Sequence, residues 1–263
     1  MFHAVIVGVS LYADEKIRDL SFAGADADAV AALLDARVDG PRRILTLRDE
    51  RATKANVERV LTEELPVHVH EGDDVLVYFA GHGSPDVDVS CGDPSIHALL
   101  HDTDYAHLTS TSLNVVSELA VWLRRLKAQH IAVVIDASFN GAAGGRTMEG
   151  PGLWSGPPTR RLDRVSLNGL AFGTQGAILT ACGEKEAANE APAYQHGVFT
   201  YHLLELLEHA PAGALSIAAI YDAVSAAVRQ ATEGTQNPAL HATRASVPLL
   251  CLRERDATRA GAG

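Results

Sequence analysis

Val75-Leu76-Val77-Tyr78-Phe79-Ala80 runs directly into Gly81-His82-Gly83. The run is apolar, rich in β-branched and aromatic residues, and of strand length. A second run, Ile131-Ala132-Val133-Val134-Ile135, ends in Asp136-Ala137-Ser138-Phe139-Asn140-Gly141. Strands that are apolar throughout, without alternation, are those buried on both faces of a parallel sheet. Each run stops at a reactive side chain flanked by small residues. In open parallel α/β sheets, ligands sit at the carboxyl ends of the strands. Two adjacent strands ending in this way would bring His82 and Ser138 over one cleft.

The rest of the chain alternates strand-like and helix-like segments, the pattern of a mostly parallel sheet covered on both faces. Ala4–Val9, Arg43–Leu47 and Ala177–Ala181 read as further strands, and Val247–Leu252 as a last one. Ala25–Leu34 reads as a helix with Val30, Leu33 and Leu34 on its apolar stripe. Thr53 reads as the N-cap of a helix over Ala55–Leu65 that Pro66 stops. Leu113–Leu126, Phe199–His209 and Ser216–Gln230 are further expected helices. Ser84–Ser95, rich in Asp, Pro and Gly, reads as a loop over the third strand end. Residues 141–173 hold eight glycines and three prolines with little periodicity. Long structureless loops inside compact domains are usually functional or disordered. The expectation is one domain over residues 1–253, interrupted by this loop, with a disordered tail at 254–263.

Composition narrows the class. Of 263 residues, 47% are hydrophobic and 21% charged, ordinary values for a soluble globular protein. No apolar run reaches a membrane span, and no basic region followed by an apolar stretch marks a secretory signal. The three cysteines, Cys91, Cys182 and Cys251, are sparse and widely spaced, which fits a reducing, cytoplasmic setting rather than a disulfide framework. The formal net charge of −11 opposes nucleic acid and anionic lipid and is compatible with a basic substrate.

His82 has an uncrowded backbone, and an imidazole suits acid/base work near neutrality. Its alternative is a loop histidine held for local hydrogen bonding. His68, His70, His97, His101 and His107 lack metal-ligand spacing, so no zinc site is expected. Ser138 sits where a nucleophile would sit, and the amides after it could face an oxyanion. Asp136 and Asn140 replace the glycines of a Gly-x-Ser-x-Gly elbow, so this is not the α/β-hydrolase arrangement. Asp136, two residues before Ser138, could set a carboxylate beside the nucleophile to receive a positive side chain. Asp26 and Asp28 lie early in the first helix, where carboxylates complement the helix dipole; that plain role is the reading preferred for Asp26.

Taken together these segments resemble the caspase-like cysteine peptidases of clan CD, in particular bacterial caspase-like and metacaspase proteins. Tyr78-Phe79-Ala80-Gly81-His82-Gly83 is similar to their histidine motif. Asp136-Ala137-Ser138-Phe139-Asn140-Gly141 is similar to their Asp-x-Cys-x-x-Gly motif with serine at the cysteine. His82 precedes Ser138 by close to the roughly 50 residues that separate histidine and cysteine in caspases. Gly24–Ala29, Leu100–Asp104, Ile178–Cys182, His196–Thr200 and Gln236-Asn237-Pro238 extend the likeness over nearly the whole chain. The resemblance implies a three-layer α/β/α fold around a mostly parallel six-stranded sheet, and a thiolate–histidine dyad that cleaves peptide bonds. It implies His82 as general acid/base, Ser138 at the nucleophile position, and the Gly83 and Ser138 amides as oxyanion hole. Asp28 and Asp136 then line the S1 pocket, for cleavage after Arg or Lys. Residues 141–173 become a processing loop with Arg160, Arg161 and Arg164 as candidate cleavage points, cut by the chain itself or by an upstream protease.

Serine at position 138 departs from the family. Serine is nearly isosteric with cysteine, so the fold and cleft are kept while the thiolate is lost. The first reading is an engineered inactivation with cysteine as the natural residue; a natural pseudoenzyme comes second and a working serine peptidase third. The resemblance implies no cofactor. Calcium dependence is left open, because Asp86, Asp88, Asp93, Asp102 and Asp104 follow no defined loop motif. A monomer, peptide partners with Arg or Lys at P1, and a bacterial cell-death or antiphage role complete what the resemblance implies. Two other classes compete: a non-catalytic module that binds basic peptides, and a small-molecule binder. The latter calls for a glycine-rich phosphate loop that Gly8-Val9-Ser10-Leu11 lacks.

Overall fold

A computed structural model describes residues 1–87, 94–139, 145–148, 176–183, 186–242 and 248–255. The apolar runs form the centre of one sheet: β1 (Phe2–Gly8), β2 (Arg42–Arg48), β3 (Asp74–Ala80), β7 (His130–Asp136) and β8 (Gly176–Thr180) are all parallel. A sixth strand, β12 (Ala239–Ala242), pairs antiparallel with β8, giving the order β12-β8-β7-β3-β1-β2. The side chains of β3 alternate between two cores, as strand geometry requires. Val75, Val77 and Phe79 enter one, and Leu76, Tyr78 and Ala80 the other.

Helices cover each face. On one side lie α1 (Ala23–Arg37), α6 (Val198–His209) and α7 (Ile217–Ala231), the last capped by the Ser216 hydroxyl, which accepts from the Ala219 amide. On the other lie α2 (Lys54–Arg59), α3 (Leu65–His68) and α5 (Ala120–Leu123). A small antiparallel sheet of β4 (Gly83–Val87), β5 (Pro94–Ala98) and β6 (Leu113–Asn114) stands above the tip of β3. Further short elements are α4 (Leu108–Thr111), the pair β9 (Glu190–Ala191) and β10 (His196–Gly197), and the pair β11 (Gly213–Ser216) and β13 (Pro248–Leu252).

Four expectations are corrected. Pro66 does not stop the second helix. A wide turn over Val60–Glu64 links α2 to α3, and Pro66 sits in the first turn of α3, where a missing N–H costs little. The helix expected from Leu113 begins only at Val115. The Asn114 side chain accepts from the Val116 and Ser117 amides and so caps it there, and it ends at Leu123. The segment after Gly83 is a strand pair, β4 with β5, not a loop; residues 88–93 lie outside the described residues. Finally, β13 does form, but it pairs with β11, and the sixth strand of the main sheet is β12.

Candidate active site

The register of β3 against β7 pairs Ala80 with Asp136, so both chains leave the sheet at the same level. His82 and Ser138 follow, each fully buried. The His82 backbone N–H donates to the Tyr12 hydroxyl at 2.8 Å, and the Tyr12 and His82 rings lie against each other with centroids 5.3 Å apart. Ring Nε2 lies 2.7 Å from the Arg18 carbonyl oxygen, which can only accept, so Nε2 carries the proton of the neutral ring. Nδ1 is then the bare nitrogen. Nδ1 and the Ser138 hydroxyl are both buried without a hydrogen-bond partner among the described residues. Burial pushes the His82 pKa down to about 4; the Arg18 carbonyl opposes this, and the Arg18 and Arg146 charges add to it. At neutral pH the ring is an uncharged base.

The backbone amides of Gly83 and Ser138 converge on one acceptor, the carbonyl oxygen of Arg146, at 2.9 and 3.1 Å. A Cβ at Gly83 would stand 2.3 Å from the Ser138 carbonyl oxygen, so this approach needs glycine. The Arg146 side chain is fully buried. Its guanidinium pairs with Asp26, with Asp136 Oδ2 at 2.9 Å and with Glu190 Oε1 at 3.2 Å. Each carboxylate is itself held. Asp26 accepts from the Gly197 amide at 3.1 Å and from His196 Nδ1 at 2.6 Å. Asp136 accepts from the Thr200 hydroxyl at 2.6 Å, which in turn accepts from the Tyr78 hydroxyl at 2.6 Å. Glu190 accepts from the Ser21 and Phe22 amides, both at 2.9 Å. Burial works against the charge on Arg146, but Asp136 and Asp26 outweigh it and hold its pKa above the ordinary value. For Asp136, burial pushes the carboxyl up against the pull of Arg146.

The sequence match to a family model decides the assignment: the caspase domain, Peptidase C14, aligns over residues 1–249. The chain belongs to the caspase-domain family. Two solved structures show the same fold. A caspase-1 from Spodoptera frugiperda is 13% identical with a TM-score of 0.61, covering 92% of this chain and 88% of its own. A protein of Geobacter sulfurreducens, solved as a structural-genomics target, is 18% identical with a TM-score of 0.68, covering 96% of this chain and 99% of its own. No curated protein matches the sequence.

Within this caspase domain the strand tips carry His82, Gly83 and Ser138 together, with Asp136 beneath them. Asp28 lies elsewhere. It is half exposed and pairs with Arg48, whereas Asp26, read from sequence as a helix-dipole residue, faces Arg146. Residues two apart on a helix point to different faces, so only one of this pair can enter the cleft. Glu190, Arg146 and the orienting Arg18 carbonyl were not singled out from sequence either. The His196–Thr200 segment held one pointer, for Gly197 leaves room for the pocket: a Cβ there would stand 2.7 Å from Asp136 Oδ2. Arg160, Arg161 and Arg164 lie outside the described residues. Cys182 is no substitute nucleophile: burial raises its thiol pKa, and Sγ faces the Glu186 carbonyl at 3.3 Å. Among the described residues no group of three or more His, Cys, Asp or Glu could hold a metal ion, and no helix is long and apolar enough to cross a membrane. Asp102 and Asp104 instead accept from the Lys54 and Ala106 amides, at 2.9 and 2.8 Å.

Proposed function

We propose that this caspase domain is an endopeptidase specific for arginine or lysine at P1, with cysteine as the working residue at position 138 and Ser138 as its inactive stand-in. One observation carries the reading: a buried guanidinium lies among Asp26, Asp136 and Glu190 while two amides converge on the same residue's carbonyl. That is the pairing of charge pocket and oxyanion site that a basic P1 residue needs. The Asp28 and Asp136 pocket of the family resemblance becomes Asp26, Asp136 and Glu190.

In the working form a cysteine thiol at position 138 passes its proton to Nδ1 of His82, whose other nitrogen is fixed on Arg18. The thiolate adds to the P1 carbonyl, and the oxyanion takes the backbone amides of Gly83 and of the nucleophile itself. His82 returns the proton to the leaving amine as the peptide bond breaks. Water, deprotonated by His82, then releases the acyl-enzyme. A bacterial cell-death or antiphage role and a monomeric state follow from the family likeness alone, and a cytoplasmic setting from the sparse cysteines.

The test compares arginine and aspartate reporter peptides with the Ser138→Cys chain. Arginine is expected to be turned over and aspartate not. Adding Asp26→Asn should lower kcat/KM for arginine about 100-fold or more, the scale of losing one partner of a buried charge pair, whereas Asp28→Asn should stay within about twofold. Equal effects of the two substitutions would refute the pocket. Peptide binding without turnover would favour a non-catalytic basic-peptide module.

A further inference from the structure

Beyond the tip of β3 the main chain of His82 is held by a side chain. The Val9 amide still donates to the Ala80 carbonyl at 2.9 Å, and the His82 carbonyl accepts from the Leu99 amide at 2.9 Å. The His82 N–H goes instead to the Tyr12 hydroxyl at 2.8 Å. Burial pushes the Tyr12 phenol pKa up, so the hydroxyl keeps its proton and donates it to the Val9 carbonyl at 3.4 Å. Its lone pairs are left for His82. The phenol ring lies against the imidazole at an interplanar angle of 35°. Gly81 makes room for this contact: a Cβ there would stand 3.2 Å from the Tyr12 hydroxyl and 2.8 Å from the Phe79 ring.

Tyr12 is itself anchored in residues 9–22, which link β1 to α1. Its amide donates to Asp19 Oδ1 at 3.0 Å, the Ala13 amide to the His101 carbonyl at 2.9 Å, and the Leu20 amide to the Ser10 carbonyl at 2.9 Å. The same segment supplies the Arg18 carbonyl that accepts from His82 Nε2. It therefore grips His82 at the main chain, at one ring face and at one ring nitrogen. Nδ1 is the ring nitrogen that has no hydrogen-bond partner among the described residues. We infer that Tyr12 is a positioning residue for His82, its hydroxyl and ring setting the imidazole so that Nδ1 meets the group at position 138. The inference rests on the peptidase reading above. A base displaced by a fraction of an ångström loses its alignment with the nucleophile, and that loss falls on the chemical step rather than on substrate binding.

Tyr12→Phe keeps the ring and removes the hydroxyl. Two measurements read it. In the Ser138 protein with 15N-labelled histidine, the parent is expected to show His82 as one neutral tautomer protonated at Nε2. Tyr12→Phe should draw the two ring-nitrogen signals toward each other as the second tautomer becomes populated. Arg18, Arg146 and Glu190, the charges acting on His82, are the same in both proteins, so the change reads position. In the Ser138→Cys background Tyr12→Phe should lower kcat on the arginine reporter about 10- to 100-fold and leave KM within about twofold. A tyrosine that only filled space would lower the melting temperature and move neither readout. Asp19→Ala, at an exposed residue that holds the Tyr12 amide, should move both in the same direction and decides the matter if Tyr12→Phe does not fold. Unchanged His82 signals overturn the inference whatever the reporter does, and so does an unchanged kcat in a chain whose parent is active. Shifted signals in a chain that turns over no reporter uphold the grip on His82 and count against the peptidase reading instead.

Discussion

Replacing Arg146 by methionine in the Ser138 protein tests the buried charge cluster without any catalysis. Methionine keeps much of the apolar stem and removes only the cation. Asp26 and Asp136 are fully buried, and Glu190 is 16% exposed, so two carboxylates lose their counter-charge with no access to water. Removing one partner of a buried ion pair costs about 3–5 kcal/mol, because the other charge stays buried and uncompensated. In a chain of this size 1 kcal/mol moves the melting temperature by about 2–4 °C, so a drop of about 6–20 °C is expected at pH 7. The loss has a predictable pH dependence. In the variant the orphaned Asp136 carboxyl titrates above its unfolded value, since burial already pushes it upward and Arg146 no longer pulls it down. A group whose folded pKa is raised in this way destabilises above that pKa and is relieved as pH falls toward the unfolded value. The gap between variant and parent should therefore narrow from pH 7 to pH 4.5, and adding Asp26→Asn should recover part of it. Thermal unfolding by circular dichroism reads all three effects. A melting temperature within about 2 °C of the parent at pH 7 would show that Arg146 is not the counter-ion of Asp26 and Asp136.

His82 is neutral and buried, with its pKa down at about 4 against about 6.5 when unfolded, so the unfolded chain binds the proton more readily. Stability should fall by about 3 kcal/mol as pH drops from about 6.5 to about 4, and His82→Gln should flatten that slope in urea titrations. Gly83→Ala would place a methyl 2.3 Å from the Ser138 carbonyl and push the Gly83 amide out of line. In the Ser138→Cys background it should cost about 100-fold or more in kcat on an arginine reporter with little change in KM, the signature of a lost oxyanion donor.

The parts of the fold that sequence discloses are those where one local rule acts alone. The runs ending at Ala80 and Ile135 are too apolar and β-branched for any surface element, and small residues after them leave their tips open. That is why His82 and Ser138 could be set side by side from spacing and strand order. Errors came where two rules compete. Pro66 reads as a stop, yet one residue into a new turn its missing N–H has no partner to lose. Asn114 lies inside a helical apolar pattern, but its side chain satisfies two amides and so fixes the helix start. Ala239–Ala242 carries no strong strand signal, because an edge strand of four residues owes its form to pairing with β8. Asp26 and Asp28 are equivalent in composition, and only the rotation of α1 against the sheet decides which faces inward. Arg146 is in a glycine-rich segment whose pattern says nothing of where it docks.

The acidic pocket also joins specificity to stability. Three carboxylates fixed on α1, β7 and β9 are tolerable in an interior only while a cation sits among them. An apolar P1 side chain would leave those charges as bare as Arg146→Met does, and an acidic one would add like charge to them. The same cost of about 3–5 kcal/mol that measures an empty pocket is, on this reasoning, the discrimination in favour of a basic residue, about 10²- to 10³-fold or more. In the folded chain Arg146, eight residues beyond Ser138, is that cation. On the proposed reading, selectivity for arginine and the seating of Arg146 are two consequences of one buried charge cluster.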